Sequence, residues 1–181
     1  LNRAVFLDRD GTIIEDVGYL RDSRSIRPLP GALEILFKLR EAGWLLIVIT
    51  NQSGVGKGLI SSDVMLEVQS AFEAMMRRAG AAVTATYCCL HTPEENCDCR
   101  KPSPSLFFRA AAENNVDLSR SWMIGDRESD ILSGRNAGCS TIWLRNNVHP
   151  LNPELPDFTA NDWREIEHLL SGAPSNPQIF R

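Results

Sequence analysis

Short apolar runs at 4–7, 44–49, 86–90, 122–124 and 140–144 alternate with longer segments of helical period, and this alternation constrains the chain most. Each run is strand-sized and β-branched or aromatic in character, which reads as a central strand buried on both faces. The segments between them, 31–41 with Leu33, Leu36 and Leu39 on one face, 62–78, 104–114 and 129–137, read as helices. Strand and helix in succession call for a parallel sheet with right-handed crossovers, hence a three-layer α/β sandwich. Gly43, Gly80 and Gly138 fall where helix C-termini should stop. A last short strand is expected near 158–160 and a closing helix over 163–170. The Pro- and Asn-rich stretch 146–156 reads as loop, and 172–181, without periodic pattern, as a tail after a single domain over 1–171.

With 181 residues, 43% of them hydrophobic, one domain can bury a sizeable core. A net charge of −4 argues against a general nucleic-acid binder, whose phosphate contacts demand a basic surface. No run approaches the roughly 18 apolar residues of a membrane span, and no basic segment with an apolar signal core opens the chain. Five cysteines, an odd number, suit a reducing compartment and metal binding better than a disulfide framework. The expectation is a cytoplasmic monomer with no nucleic-acid or membrane partner.

The first run delivers Asp8 and Asp10 into a turn relaxed by Gly11, placing two acids at the carboxyl end of a strand, where open α/β sheets build their sites. An Asp there can act as a nucleophile on phosphorus while a second acid handles protons. The second run ends Thr50-Asn51-Gln52-Ser53-Gly54, a hydroxyl followed by a glycine-rich turn that lets backbone N–H groups approach an anion. Arg100 and Lys101 precede a helix, the Lys as a point charge suited to phosphate and the Arg as a fork for a second polar group. Gly125-Asp126-Arg127-Glu128-Ser129-Asp130 places one acid at a strand end and another a turn into the next helix.

Cys89, His91, Cys97 and Cys99 form a CxH…CxC set with five residues between its halves. Three thiolates and an imidazole can close a tetrahedral site without an open position, so structural Zn²⁺ is expected. The metal would immobilise a polar loop and aim Arg100 and Lys101. Cys88 and Cys139 read as packing residues, and Trp44, Trp122, Trp143 and Trp163 as core and edge packing.

These motifs, in this order, resemble motifs I to IV of the haloacid dehalogenase superfamily of phosphohydrolases. The resemblance implies a Rossmann-like fold and a two-step mechanism. Asp8 would be the nucleophile and Asp10 the acid and base, with Thr50 on the transferring phosphoryl oxygens and Lys101 stabilising charge. Mg²⁺ would be held by Asp8, the backbone carbonyl of Asp10, and Asp126, with Asp130 orienting the others. The intervals after motif I and between motifs II and III leave no room for a cap domain.

DRDGT, Asp16-x-Gly18-Tyr19, TNQSG, CRKP and the zinc loop together are similar to the heptose-1,7-bisphosphate 7-phosphatase family over about residues 4–145. That likeness implies a small phosphorylated sugar substrate, contacted by Asp16, Val17, Gly18, Tyr19, Asn51, Gln52, Ser53, Arg100 and Arg127. The alternatives are a histidinol-phosphate phosphatase, which shares the Asp pair, zinc loop and CRKP, a polynucleotide-end phosphatase, and a catalytically silent binding module.

Overall fold

The computed structural model of the chain describes residues 1–145, 152 and 155–172. Among them, β1 (Ala4–Leu7), β2 (Leu45–Asn51), β3 (Ala85–Cys89), β4 (Trp122–Gly125), β5 (Ser140–Leu144) and β6 (Phe158–Ala160) form one sheet. Its order is β3-β2-β1-β4-β5-β6, with every neighbouring pair parallel. The connecting helices are α1 (Ala32–Glu41), α2 (Ser53–Gly56), α3 (Ser62–Arg78), α4 (Ser105–Asn114), α5 (Glu128–Ala137) and α6 (Trp163–Gly172). The expected tail from 173 onward and most of the expected 146–156 loop lie outside the described residues.

Successive side chains of one strand feed two different cores. Val5, Leu7, Leu46, Val48, Trp122 and Ile124 pack with residues of α1, α3 and α6 on one face. Ala4, Phe6, Ile47, Ile49 and Met123 pack with α4 on the other, where the Phe6 and Phe107 rings sit 4.8 Å apart. Two buried faces are why these runs are continuously apolar instead of alternating. Each such Leu, Ile or Phe contributes about 1.5–3 kcal/mol by burial. α3 begins where Ser61 Oγ accepts from Val64 N at 3.2 Å, and α5 ends at Gly138, which takes the left-handed φ of 87°.

The bounds differ from the sequence reading at one informative place. β2 runs past its apolar residues because Thr50 and Asn51 keep pairing with Cys88 and Cys89, so the polar end of the strand stays in the ladder. The segment expected as a glycine-rich turn is the short helix α2. A Cβ on Gly56 would stand 2.6 Å from the carbonyl oxygen of Leu90, so its glycine permits close backbone packing against the Cys/His loop.

Only a short 3₁₀ turn and α1 separate β1 from β2, and only α2 and α3 separate β2 from β3. No cap domain occurs in either interval. Strand order reverses between β1 and β4, and open sheets leave a crevice at the carboxyl ends of the strands at such a switch point. Among the described residues, no helix is long and apolar enough to cross a membrane.

Candidate active site

Asp8 and Asp126 directly follow the two strands that flank the switch point, β1 and β4. Asp8 N donates to Ile124 O at 3.1 Å, which carries the β1–β4 ladder one residue further and seats the carboxylate over the crevice. Asp126 is fully buried; Thr12 Oγ1 donates to its Oδ1 at 3.4 Å and Trp143 Nε1 to its carbonyl at 3.3 Å. The turn after β1 closes against it, and a Cβ on Gly11, whose φ is 85°, would meet Asp126 Oδ2 at 2.4 Å. Trp163 Nε1 braces the same turn by donating to Thr12 O at 2.9 Å. The tryptophans therefore pack as expected and also hold the backbone of the site.

Carboxylate oxygens of Asp8, Asp126 and Asp130 lie within 4.8 Å of one another, and all three residues are buried. Three buried acids so close repel one another unless cations compensate. Lys101, 3% exposed, is one such cation: Nζ is 2.7 Å from Asp8 Oδ1, 2.7 Å from Asp130 Oδ1, and donates to Ile49 O at 2.6 Å. Burial would lower the Lys101 pKa, but Asp130 and Asp8 outweigh it and raise it, so the ammonium stays charged. Burial pushes the Asp130 carboxyl up to about 6, with Lys101 opposing. The remaining oxygens form an all-carboxylate donor set of the kind Mg²⁺ prefers. Asp130 Oδ2 accepts from Arg127 N at 3.0 Å, so that acid is tied at both oxygens.

Asp10 sits beside this group with its side chain 16% exposed. Burial raises its pKa and the neighbouring Asp8 charge adds to this, while Arg9 and the Gln52 hydrogen bond pull it down. Gln52 Nε2 lies 2.7 Å from Asp10 Oδ2 and 2.8 Å from Thr50 Oγ1, tying the two together. Asn51 is engaged differently from the sequence expectation. Its Oδ1 accepts from Lys101 N at 3.1 Å and its Nδ2 donates to Lys101 O at 3.2 Å, so the amide clamps the lysine backbone.

The cleft above is lined by Asp8, Asp10, Asp16, Gly18, Tyr19, Thr50, Asn51, Gln52, Ser53, Arg100, Lys101 and Arg127, together with Gly54, Ser129 and Asp130. Asp126 lies beneath it. Val17 is the one predicted substrate contact not brought to this lining: Gly18 N turns back to Asp16 Oδ1 at 2.8 Å, and Val17 is left 51% exposed. At the mouth, Arg127 Nη2 pairs with Asp16 Oδ2 at 2.5 Å, and Lys57 Nζ lies 3.2 Å from Tyr19 OH. Arg9, to which the sequence assigns no role, is 2% exposed and ion-paired to Asp10.

Cys89, His91, Cys97 and Cys99 converge as the spacing predicts. Cys97 Sγ is 3.6 Å from both Cys89 Sγ and Cys99 Sγ, and His91 Nδ1 is 3.2 Å from Cys99 Sγ and 3.7 Å from Cys89 Sγ. A tetrahedron with Zn–S of about 2.3 Å has edges of about 3.8 Å, so the four donors already stand at ligand spacing. Burial pushes the Cys89 thiol up to about 12; Cys97, despite some desolvation, is drawn down to about 7 by hydrogen bonds from Cys89 and Cys99. Cys88 stands outside the set, its thiol pushed up to about 11 by burial. The loop reaches the active site through Arg100, whose Nη1 donates to His91 O at 3.2 Å, and through Gln52 N, which donates to Cys89 O at 2.7 Å.

Comparison with known proteins agrees with this geometry. The HAD-hydrolase-like family model matches residues 98–166. A D-glycero-beta-D-manno-heptose-1,7-bisphosphate 7-phosphatase of Helicobacter pylori (strain J99) is 39% identical over 93% of this chain and 93% of its own length. Its counterpart in Pasteurella multocida is 36% identical over 100% of this chain and 98% of its own. The crystal structure of the D,D-heptose 1,7-bisphosphate phosphatase from B. bronchiseptica, complexed with magnesium and phosphate, superposes with a TM-score of 0.84 at 27% identity, covering 93% of this chain and 98% of that one. With this likeness along its whole length, and with acids and lysine gathered at the switch point, the chain belongs to the heptose-1,7-bisphosphate 7-phosphatase family of the haloacid-dehalogenase-like hydrolases.

Proposed function

We propose that residues 1–171 form one phosphatase domain that removes the 7-phosphate of D-glycero-D-manno-heptose 1,7-bisphosphate through an aspartyl phosphate on Asp8. The observation that carries this reading is the convergence of the Asp8, Asp126 and Asp130 carboxylates on one another, with Lys101 paired to Asp8 and Asp130, at a cleft lined by Arg100 and Arg127. With a divalent cation offsetting the acids, Lys101, Arg100 and Arg127 would face the phosphoryl oxygens next to an oxygen nucleophile.

Asp8 attacks phosphorus in line and the bond to the sugar oxygen breaks; Asp10 gives its proton to that oxygen. Asp10 then takes a proton from water, whose oxygen attacks the phosphoryl group and returns Asp8 as a carboxylate. Lys101 and Thr50 face the charge that spreads over the equatorial oxygens. Asp8, Asp126 and the backbone carbonyl of Asp10 would hold Mg²⁺, which supplies charge neutralisation at those oxygens, with Asp130 orienting the set. Asp16, Gly18, Tyr19, Gln52, Ser53, Arg100 and Arg127 line the path to the sugar and its second phosphate. Zn²⁺ at Cys89, His91, Cys97 and Cys99 would cross-link the loop that carries Arg100 and Lys101.

Phosphate release in Mg²⁺ is measured in parallel from both anomers of heptose 1,7-bisphosphate and from histidinol phosphate. Preference for either bisphosphate supports the reading. Preference for histidinol phosphate overturns the substrate and keeps the chemistry, and no Mg²⁺-dependent release overturns both.

A further inference from the structure

The two oxygens of Asp10 are treated very differently by the fold. Oδ2 accepts from Arg9 Nε at 3.1 Å and Gln52 Nε2 at 2.7 Å, and Arg9 Nη2 lies 2.9 Å from it. Two N–H donors and the ion-paired Nη2 occupy this one carboxylate oxygen and leave no place there for a proton. Oδ1 receives none of these contacts, and Asp10 lines the cleft.

Arg9 is itself an unusual residue to bury, at 2% exposure, since an isolated guanidinium is costly to desolvate and an apolar side chain would pack the same space more cheaply. Its position is held from α3: Arg9 Nη1 donates to Gln69 Oε1 at 3.3 Å. Gln69 Nε2 in turn donates to Glu73 Oε1 at 2.8 Å and to Thr86 Oγ1 at 3.1 Å, and Thr86 Oγ1 donates to Glu73 Oε1 at 3.3 Å. A continuous polar line therefore runs from the cleft to the α3–β3 interface through an otherwise apolar layer.

We infer that Arg9 is a positioning residue for Asp10, held in place by Gln69, and that both proton transfers run through Asp10 Oδ1. The inference rests on the reading of Asp10 as acid and base given above. As the phosphorus bond to the sugar oxygen breaks, the proton on Oδ1 passes to that oxygen. As water oxygen bonds to phosphorus and the Asp8–phosphorus bond breaks, Oδ1 takes the water proton. Arg9 and Gln52 keep Oδ1 turned towards the reacting atoms throughout.

Gln69→Leu and Arg9→Lys test this with two substrates, heptose 1,7-bisphosphate, whose alcohol must be protonated to leave, and p-nitrophenyl phosphate, whose phenolate leaves without a proton. Loss of aligned acid–base catalysis is worth about 10²-fold or more, so partial misalignment in Gln69→Leu should lower kcat on the sugar about 10-fold with KM unchanged. Arg9→Lys should lower it further. On the aryl ester, the pre-steady-state burst of nitrophenolate should keep its wild-type rate in Gln69→Leu while the turnover that follows slows. Circular dichroism and thermal melting check the fold, and the half-buried Gln69 position gives a readable variant should Arg9→Lys not fold. Wild-type kcat in Gln69→Leu, a loss confined to KM, or a burst slowed as much as sugar turnover would overturn the inference alone. A wild-type chain without Mg²⁺-dependent phosphate release would overturn the proposed function and the inference with it.

Discussion

Lys101 Nζ donates to Asp8 Oδ1 at 2.7 Å across a sequence separation of 93 residues. The bond joins the end of β1 to the segment that follows the Cys/His loop, and both side chains are nearly removed from solvent. The proposed nucleophilic oxygen and its counter-charge are thus held in contact by the chain itself, which is the form electrostatic preorganisation takes in phosphoryl transfer.

Asp8→Asn keeps the shape of the side chain and removes the attacking oxygen anion. Turnover should fall by at least about 10³-fold, as it does when a covalent nucleophile is lost. Steady-state phosphate release measures the loss, and an unchanged far-ultraviolet circular dichroism spectrum assigns it to chemistry. A variant with near-normal rates would remove Asp8 from the nucleophile role.

Gly11→Ala puts a Cβ 2.4 Å from Asp126 Oδ2 in a backbone of φ 85°. Strain of this kind is of order 1–3 kcal/mol, and here the neighbour that must yield is the buried carboxylate of the site. Lower thermal stability and a weaker apparent affinity for Mg²⁺ should appear together. A destabilised variant with wild-type Mg²⁺ dependence would show that the turn does not control Asp126.

Removing zinc should loosen the loop that presents Arg100 and Lys101. Cys97→Ser, or prolonged chelation, should abolish stoichiometric zinc and lower stability by about 3 kcal/mol or more, a melting shift on the order of 10 °C. Cys88→Ala should retain the metal, because Cys88 lies outside the group of four. Elemental analysis and thermal melting read both results, and equal zinc in wild type and Cys97→Ser would refute the ligand set.

Asp130 offers a pH test in the metal-free protein. Burial carries its carboxyl from 3.8 to about 6, against the pull of Lys101. A folded pKa above the unfolded one stabilises the fold at low pH, and that contribution is lost as pH rises through about 6. Asn imitates the neutral acid, so Asp130→Asn should gain stability relative to the wild type as pH rises from about 4 to about 7. Denaturant unfolding across that range measures the gap; a gap moving the other way would mean that the Lys101 ion pair outweighs burial.

Residues that carry chemistry in short contiguous motifs were legible without coordinates: Asp8 with Asp10, Thr50, Arg100 with Lys101, Asp126 with Asp130, and the Cys/His set all meet as their spacing predicts. Residues whose role depends on what packs against them were not. Arg9 has no role to read until α3 lays Gln69 beside it, and Asn51, which lines the cleft, shows its clamp on Lys101 only once the loop after β3 brings that backbone to its amide. Gly56 reads as freedom for an anion-binding turn, yet the Leu90 carbonyl behind it is what forbids a side chain.

By itself, the sequence determined the layered α/β architecture and which candidate groups would gather at the ends of its strands, because hydrophobic period and local motif are properties of neighbours in the chain. Tertiary structure alone decided which oxygen of Asp10 is held by Arg9 and Gln52, which cation neutralises which acid, and that Val17 stands apart. Those outcomes depend on distances between segments up to 111 residues apart, and a buried charge takes its partner from whatever the fold places within a few ångströms of it.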